Sequence, residues 1–129
     1  MFRRHFPSQT RAGELAGPEE FTIQCARERD RCVVAPVGEL DLGSAWRLER
    51  ELRRVEASDA REIVLDLSRV AFIDSTGLQP VLHAHARAEH HSKRLMIVPG
   101  PDNVQRCFEM TGLMSRLPFV DREALAQHA

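Results

Sequence analysis

Much that would point to a bulk partner is missing from this sequence. No apolar run approaches the roughly 18 residues that a membrane-spanning helix needs. Eighteen Lys and Arg against nineteen Asp and Glu leave a formal charge of −1, so no basic excess calls for nucleic acid or anionic lipid. Lysine is nearly absent, Lys93 standing alone among many arginines, as in high-GC coding. There is no C-x-x-C pair: Cys25, Cys32 and Cys107 are odd in number and scattered. Cys25 and Cys32 fall on what read as adjacent strands, where a bridge is conceivable, but buried free thiols in a reducing compartment are expected. Glycine-rich phosphate loops of either standard type are missing too. The twin arginine, Arg3 and Arg4, is followed by Pro7, Ser8, Gln9, Thr10 and Arg11 instead of an apolar segment. That argues against an export signal and leaves a cytoplasmic protein, with no membrane and no direct nucleic-acid contact, as the expectation.

What is present suits one domain with one modest core: 129 residues, 43% hydrophobic and 29% charged. Residues 1–19 mix charge, Pro and Gly without a hydrophobic period and read as a flexible N-terminal tail; 20–129 read as the folded domain. FTIQCARE alternates as a half-buried strand near an edge, and CVVAPVG as a second strand. Pro36 removes a ladder donor, so that second strand is expected at an edge or bulged there. Gly38 to Gly43 reads as a loop and Ser44 as the N-cap of a helix with Ala45, Leu48, Leu52 and Val55 on one face. EIVLDLS is a strand buried on both sides. VAFIDSTG feeds a helix from about Thr76 to His90, in which Pro80 is tolerable as part of the first turn or so. RLMIVPG is another buried strand, followed by a helix from Pro101-Asp102 that Gly112 and Leu113 close, the glycine taking the left-handed conformation. LPFVD is a last short strand, and Arg122 to Gln127 a final helical turn or two. Strands alternating with helices predict an α/β fold with a mostly parallel sheet.

The run FIDSTGL, Phe72 to Leu78, carries the chemistry. An aspartic-protease site needs Asp-Ser-Gly or Asp-Thr-Gly and a second carboxylate; here an extra residue separates Asp74 from Gly77, and no second copy exists. A nucleophile elbow at Ser75 needs G-x-S-x-G, and position 73 is Ile. A metal site on the helix would need histidines at i, i+3 or i+4, a spacing that His83, His85, His90 and His91 do not provide. A helix cap from Asp74, Ser75 or Thr76 fits, with Gly77 allowing close backbone approach. A cap leaves two things unexplained: three polar residues in a row, and a second acidic segment, Gly38-Glu39-Leu40-Asp41, after another strand.

Taken in order, Gly38-Glu39-Leu40-Asp41, a helix, IVLDLSRVAFIDSTGL, LMIV and VQRCFEMTGL closely resemble the STAS domain, and in particular the bacterial anti-sigma factor antagonists, over roughly residues 20 to 127. The resemblance implies a STAS-like α/β fold: a small, mostly parallel or mixed sheet of about five strands with helices packed mainly on one face. It implies a phosphoswitch rather than an enzyme. In the family, a partner kinase that is also an anti-sigma factor phosphorylates the serine of the motif, which ends binding, and a serine phosphatase restores it. The matching position is Ser75, with Thr76 a lesser candidate; the bordering aspartates are Asp41 and Asp74. The switch and partner surface would comprise Glu39, Asp41, Asp74, Thr76, Gly77 and Leu78, with no catalytic residue, metal or cofactor. Gln79-Pro80 and the later His83 and His85 depart from the family's usual small or aliphatic residues, which bears on partner choice. Two other readings remain: a STAS scaffold subunit of a lipid-transport or signalling complex without phosphorylation, and a small serine hydrolase using Ser75.

Overall fold

The structure, a computed structural model, describes residues 20–127; the segment read as a flexible tail lies outside them. Five strands and four helices follow the chain: β1 (Thr22–Glu28), β2 (Arg31–Leu40), α1 (Ala45–Glu56), β3 (Glu62–Asp66), β4 (Val70–Ile73), α2 (Ser75–His91), β5 (Arg94–Val98), α3 (Asp102–Met110) and α4 (Arg122–Gln127). The sheet order is β1-β2-β3-β5, with β4 paired to β2. Only β1 is antiparallel to its neighbour, so the sheet is mixed and mostly parallel.

Two side-chain periods build the core. Leu48, Leu52 and Val55 of α1 and Leu78, Val81, Ala84 and Ala88 of α2 recur at helical spacing and bury against Ile63, Leu65 and Ile97. On the other face Val64, Met96 and Val98 are covered by Val120 and by Leu125 of α4. Thus α1, α2 and α3 occupy one face and only α4 the other. The α3 ending behaves as the sequence implies: Gly112 takes φ 75°, its N–H donates to Glu109 O (3.0 Å), and that of Leu113 reaches back to Phe108 O (2.8 Å). This is a Schellman closure.

Several expectations give way to the fold. β2 is not an edge strand: β1 lies along it, and it also pairs with β3 through Val34 and with β4 from Gly38. Pro36 falls in the interval between those two partners, where its missing N–H costs no parallel-ladder bond; the irregularity comes later, between Gly38 and Glu39. VAFI is a strand of its own, and LPFVD contributes only an isolated bridge, Ile97 to Phe119. Pro80 is the sixth residue of α2, beyond the first turn, and returns no hydrogen bond to the Thr76 carbonyl. Pro80 is buried, and α2 continues through it to His91.

Candidate functional site

The site is assembled by one register. Leu40, the last residue of β2, pairs with Ile73, the last of β4, in parallel, so Asp41 and Asp74 leave the sheet side by side. The Asp74 N–H donates to Leu40 O (3.3 Å), which ties the two exits together. Only 41–44 is a turn, because Gly38, Glu39 and Leu40 belong to β2; of the four-residue acidic segment only Asp41 lies outside the strand.

Ser44 does not cap α1, whose start has no side-chain cap bond. Its hydroxyl instead donates to Glu39 O (2.6 Å) and accepts from the Asp41 N–H (3.1 Å). Ser44 is buried, so this hydroxyl fills two backbone needs that water cannot reach. The Asp41 carboxylate accepts from the Gly43 N–H (3.1 Å), completing the turn.

At the second exit Asp74 is the N-cap of α2, in extended conformation, and Oδ1 accepts from the Gly77 N–H (3.0 Å). Ser75 is the first helical residue and is exposed, while Thr76 is half-buried. Among the described residues nothing bonds the Ser75 hydroxyl or the amides of Ser75 and Thr76, leaving open donors at a helix start. Replacing Asp74 by Ala should cost about 1 kcal/mol, the usual worth of such a cap. For a domain this size that is a fall in Tm of roughly 4–8 °C; calorimetry of the variant, read against wild type, checks it.

Gly77 is buried where α2 crosses the end of β2. A Cβ built there would lie inside contact distance of Leu40 O, 2.9 Å from the Leu40 carbonyl carbon and 3.0 Å from an Ile73 side-chain carbon. Leu78 is also buried, in the core beneath the site. Glu39 is half-buried, in the register position opposite Phe72. The predicted residues are therefore brought together, but in two layers: Glu39, Asp41, Asp74, Ser75 and Thr76 reach solvent, while Gly77 and Leu78 hold the helix in place. Sequence reasoning missed Cys107 of α3. Burial pushes its thiol up, and the nearby charge of Asp74 adds to the shift, which places α3 beside the site. It passed over Trp46 as well, although that residue lies off the apolar face of α1.

The histidines belong elsewhere. His83 Nδ1 lies 3.2 Å from Glu49 Oε1 across the α1–α2 seam, where Arg87 also bridges Glu49 and Glu56. Burial alone would raise the Glu49 carboxyl, but Arg87 and His83 outweigh it and hold it below the ordinary value. No three His, Cys, Asp or Glu side chains among the described residues gather closely enough to hold a metal ion. No disulfide joins Cys25, Cys32 and Cys107; the thiol of Cys25 donates to Glu51 (2.7 Å) and is pushed far up by burial and by this carboxylate. No helix among the described residues is long and apolar enough to cross a membrane.

A family profile described as "Mlab, STAS domain" matches residues 23–120, a span that contains Asp41 and Ser75. An anti-sigma-B factor antagonist of Staphylococcus aureus is 34% identical over 76 residues, 59% of this chain and 70% of the relative. An anti-sigma-F factor antagonist of Mycobacterium tuberculosis, RsfB, is 29% identical over 99 residues, 77% of this chain and 80% of the relative. The crystal structure of an anti-sigma factor antagonist from Mycobacterium paratuberculosis superposes with a TM-score of 0.76 at 26% identity, over 88% of this chain and 97% of that one.

Proposed function

We propose, from the premise that this chain belongs to the STAS domain family, that it is an anti-sigma factor antagonist: a regulatory binding module, not a catalyst, switched at Ser75. Unphosphorylated, it binds an anti-sigma factor serine kinase and so frees a sigma factor; phosphorylation of Ser75 ends the binding, and a serine phosphatase resets it. The observation that carries this reading is the exposed, unbonded Ser75 hydroxyl at the first position of α2, between Asp41 and Asp74.

The physical chemistry of that position suits a switch that leaves the fold alone. A phosphate there meets the open amides of Ser75 and Thr76 and the positive end of a 17-residue helix. It also adds about −1.5 to −2 charges beside two carboxylates. A partner whose basic groups are already matched by Asp41 and Asp74 around a neutral hydroxyl has no further counter-charge for the desolvated anion, a mismatch that raises the dissociation rate. Binding changes through local charge with the backbone in place.

Incubation with the partner kinase and ATP, followed by intact-mass measurement, tests the assignment. One phosphoryl group should be gained by wild type and none by Ser75→Ala, while Thr76→Ala is modified as wild type is. Transfer to Ser75→Ala would move the switch to another residue. A scaffold role without phosphorylation is the competing reading. It leaves the Ser75 hydroxyl without a task, and it predicts no mass change in wild type.

A further inference from the structure

The large hydrophobic side chains that stand exposed among the described residues are Leu42, Trp46, Phe72 and Met110. All four lie on elements that meet around Ser75. Leu42 is in the 41–44 turn and 77% exposed; Trp46 is in the first turn of α1 and 55% exposed. The first amide of α1, that of Ala45, donates to Asp41 O (2.8 Å), so this flank is fixed to the site. Phe72, 44% exposed, immediately precedes Ile73 and Asp74. Met110, 80% exposed, ends α3 one turn beyond Cys107, on a helix held to β4 by the Asn103 amide donating to Ala71 O (2.9 Å). β1, β3, β5 and α4, and the length of α2, present no such side chain.

Single exposed hydrophobics are ordinary, but their restriction to the elements that converge on Ser75 is not. The same segments carry Glu39, Asp41 and Asp74, none with an ion-pair partner among the described residues. A surface that fits would carry apolar pockets framing a basic centre. Trp46 is also partly preorganised, since the Arg50 guanidinium lies 5.0 Å from its ring centroid. A large aromatic already held on one face loses little freedom on docking, the property of a binding hot spot.

We propose that Leu42 and Trp46, with Phe72 of β4 and Met110 of α3, form an apolar frame that anchors the anti-sigma factor kinase, while Ser75 decides whether the anchored partner stays. The inference rests on the switch reading above and separates two jobs within it. The frame supplies contact in either phosphorylation state; the serine supplies the difference between them.

The test is a titration of the purified kinase with wild type, Trp46→Ala, the double variant Leu42→Ser/Trp46→Ala, Ser75→Asp, and Arg61→Ala as a distant surface control. Trp46→Ala should bind at least about tenfold more weakly, the double variant more weakly still, and Arg61→Ala as wild type does. As a phosphorylation substrate, Trp46→Ala should show a raised KM with kcat unchanged, because the serine itself is intact. All these side chains are exposed, so melting curves should overlay. Wild-type affinity in the double variant overturns the frame. If Ser75→Asp has lost binding in the same experiment, the switch stands without it. If Ser75→Asp binds normally while Trp46→Ala does not, the frame stands and the switch falls. No binding by wild type overturns both.

Discussion

Ser75→Asp should weaken binding to the anti-sigma factor kinase by about 30-fold or more, while the domain melts within a degree or two of wild type. The two halves of that result have separate causes. The side chain is exposed at the first position of α2, where a negative charge is favoured by the helix dipole by ~0.3–1 kcal/mol, so the fold has no reason to suffer. At the interface the same charge joins Asp41 and Asp74 and displaces a hydroxyl that the partner has closed upon. Burying an unmatched charge at an interface costs ~2–5 kcal/mol, equivalent to between about 30- and several-thousand-fold in Kd. Isothermal titration and calorimetry on one preparation give both numbers. Binding within threefold of wild type would remove Ser75 from the interface.

Gly77→Ala should be the most destabilising single-methyl change at the site. In an unconstrained helix it would be favourable by about 1 kcal/mol, and Gly77 has ordinary helical backbone, with no positive φ. Here the added carbon meets the Leu40 carbonyl and the Ile73 side chain. The carbonyl is backbone in a paired strand and cannot rotate away, so α2 must retreat and strain the Asp74 N–H to Leu40 O bond. Overpacking of this kind costs ~1–3 kcal/mol, occasionally more, and an immovable neighbour puts it at the upper end. The expected net loss of about 2 kcal/mol lowers Tm by roughly 8–15 °C for a domain of this size. A variant that melts at or above the wild-type temperature would mean the helix does not press on β2 as described. Because Leu40 also sets where Asp41 emerges, the surviving folded fraction should bind the partner less well, which titration below Tm would register.

The sequence was legible wherever a signal was local. The α1 face of Ala45, Leu48, Leu52 and Val55, the buried run of β3, and the closure of α3 at Gly112 each lie within a few residues of one another, and each was read correctly. VAFI was read only as the approach to a helix because four residues with Ala71 and Phe72 both exposed show no alternation. Its strand character comes from β2, which offers Gly38 to Leu40 as a partner. Serine before a helix usually caps it, but the Ser44 oxygen accepts from the Asp41 N–H instead of a helix amide, while its hydrogen goes to the Glu39 carbonyl. LPFVD looked like a strand by composition, yet only Phe119 finds a bridge to the sheet.

By itself the sequence determined that this is an α/β chain, that Asp74, Ser75 and Thr76 stand at a helix start and can cap it, and the family that these motifs resemble. Hydrophobic period and cap chemistry act over a turn or two of chain, so they are written where they operate. Tertiary structure alone decided what stands next to Ser75. It set Leu40 against Ile73, so that Asp41 shares the serine's surface. It drove Gly77 against the Leu40 carbonyl, laid α3 with Cys107 beside Asp74, and left Leu42, Trp46, Phe72 and Met110 facing water around the site. Those neighbours are far apart in sequence, and the free energy that joins them is the burial of one common core, which no short stretch of the chain contains.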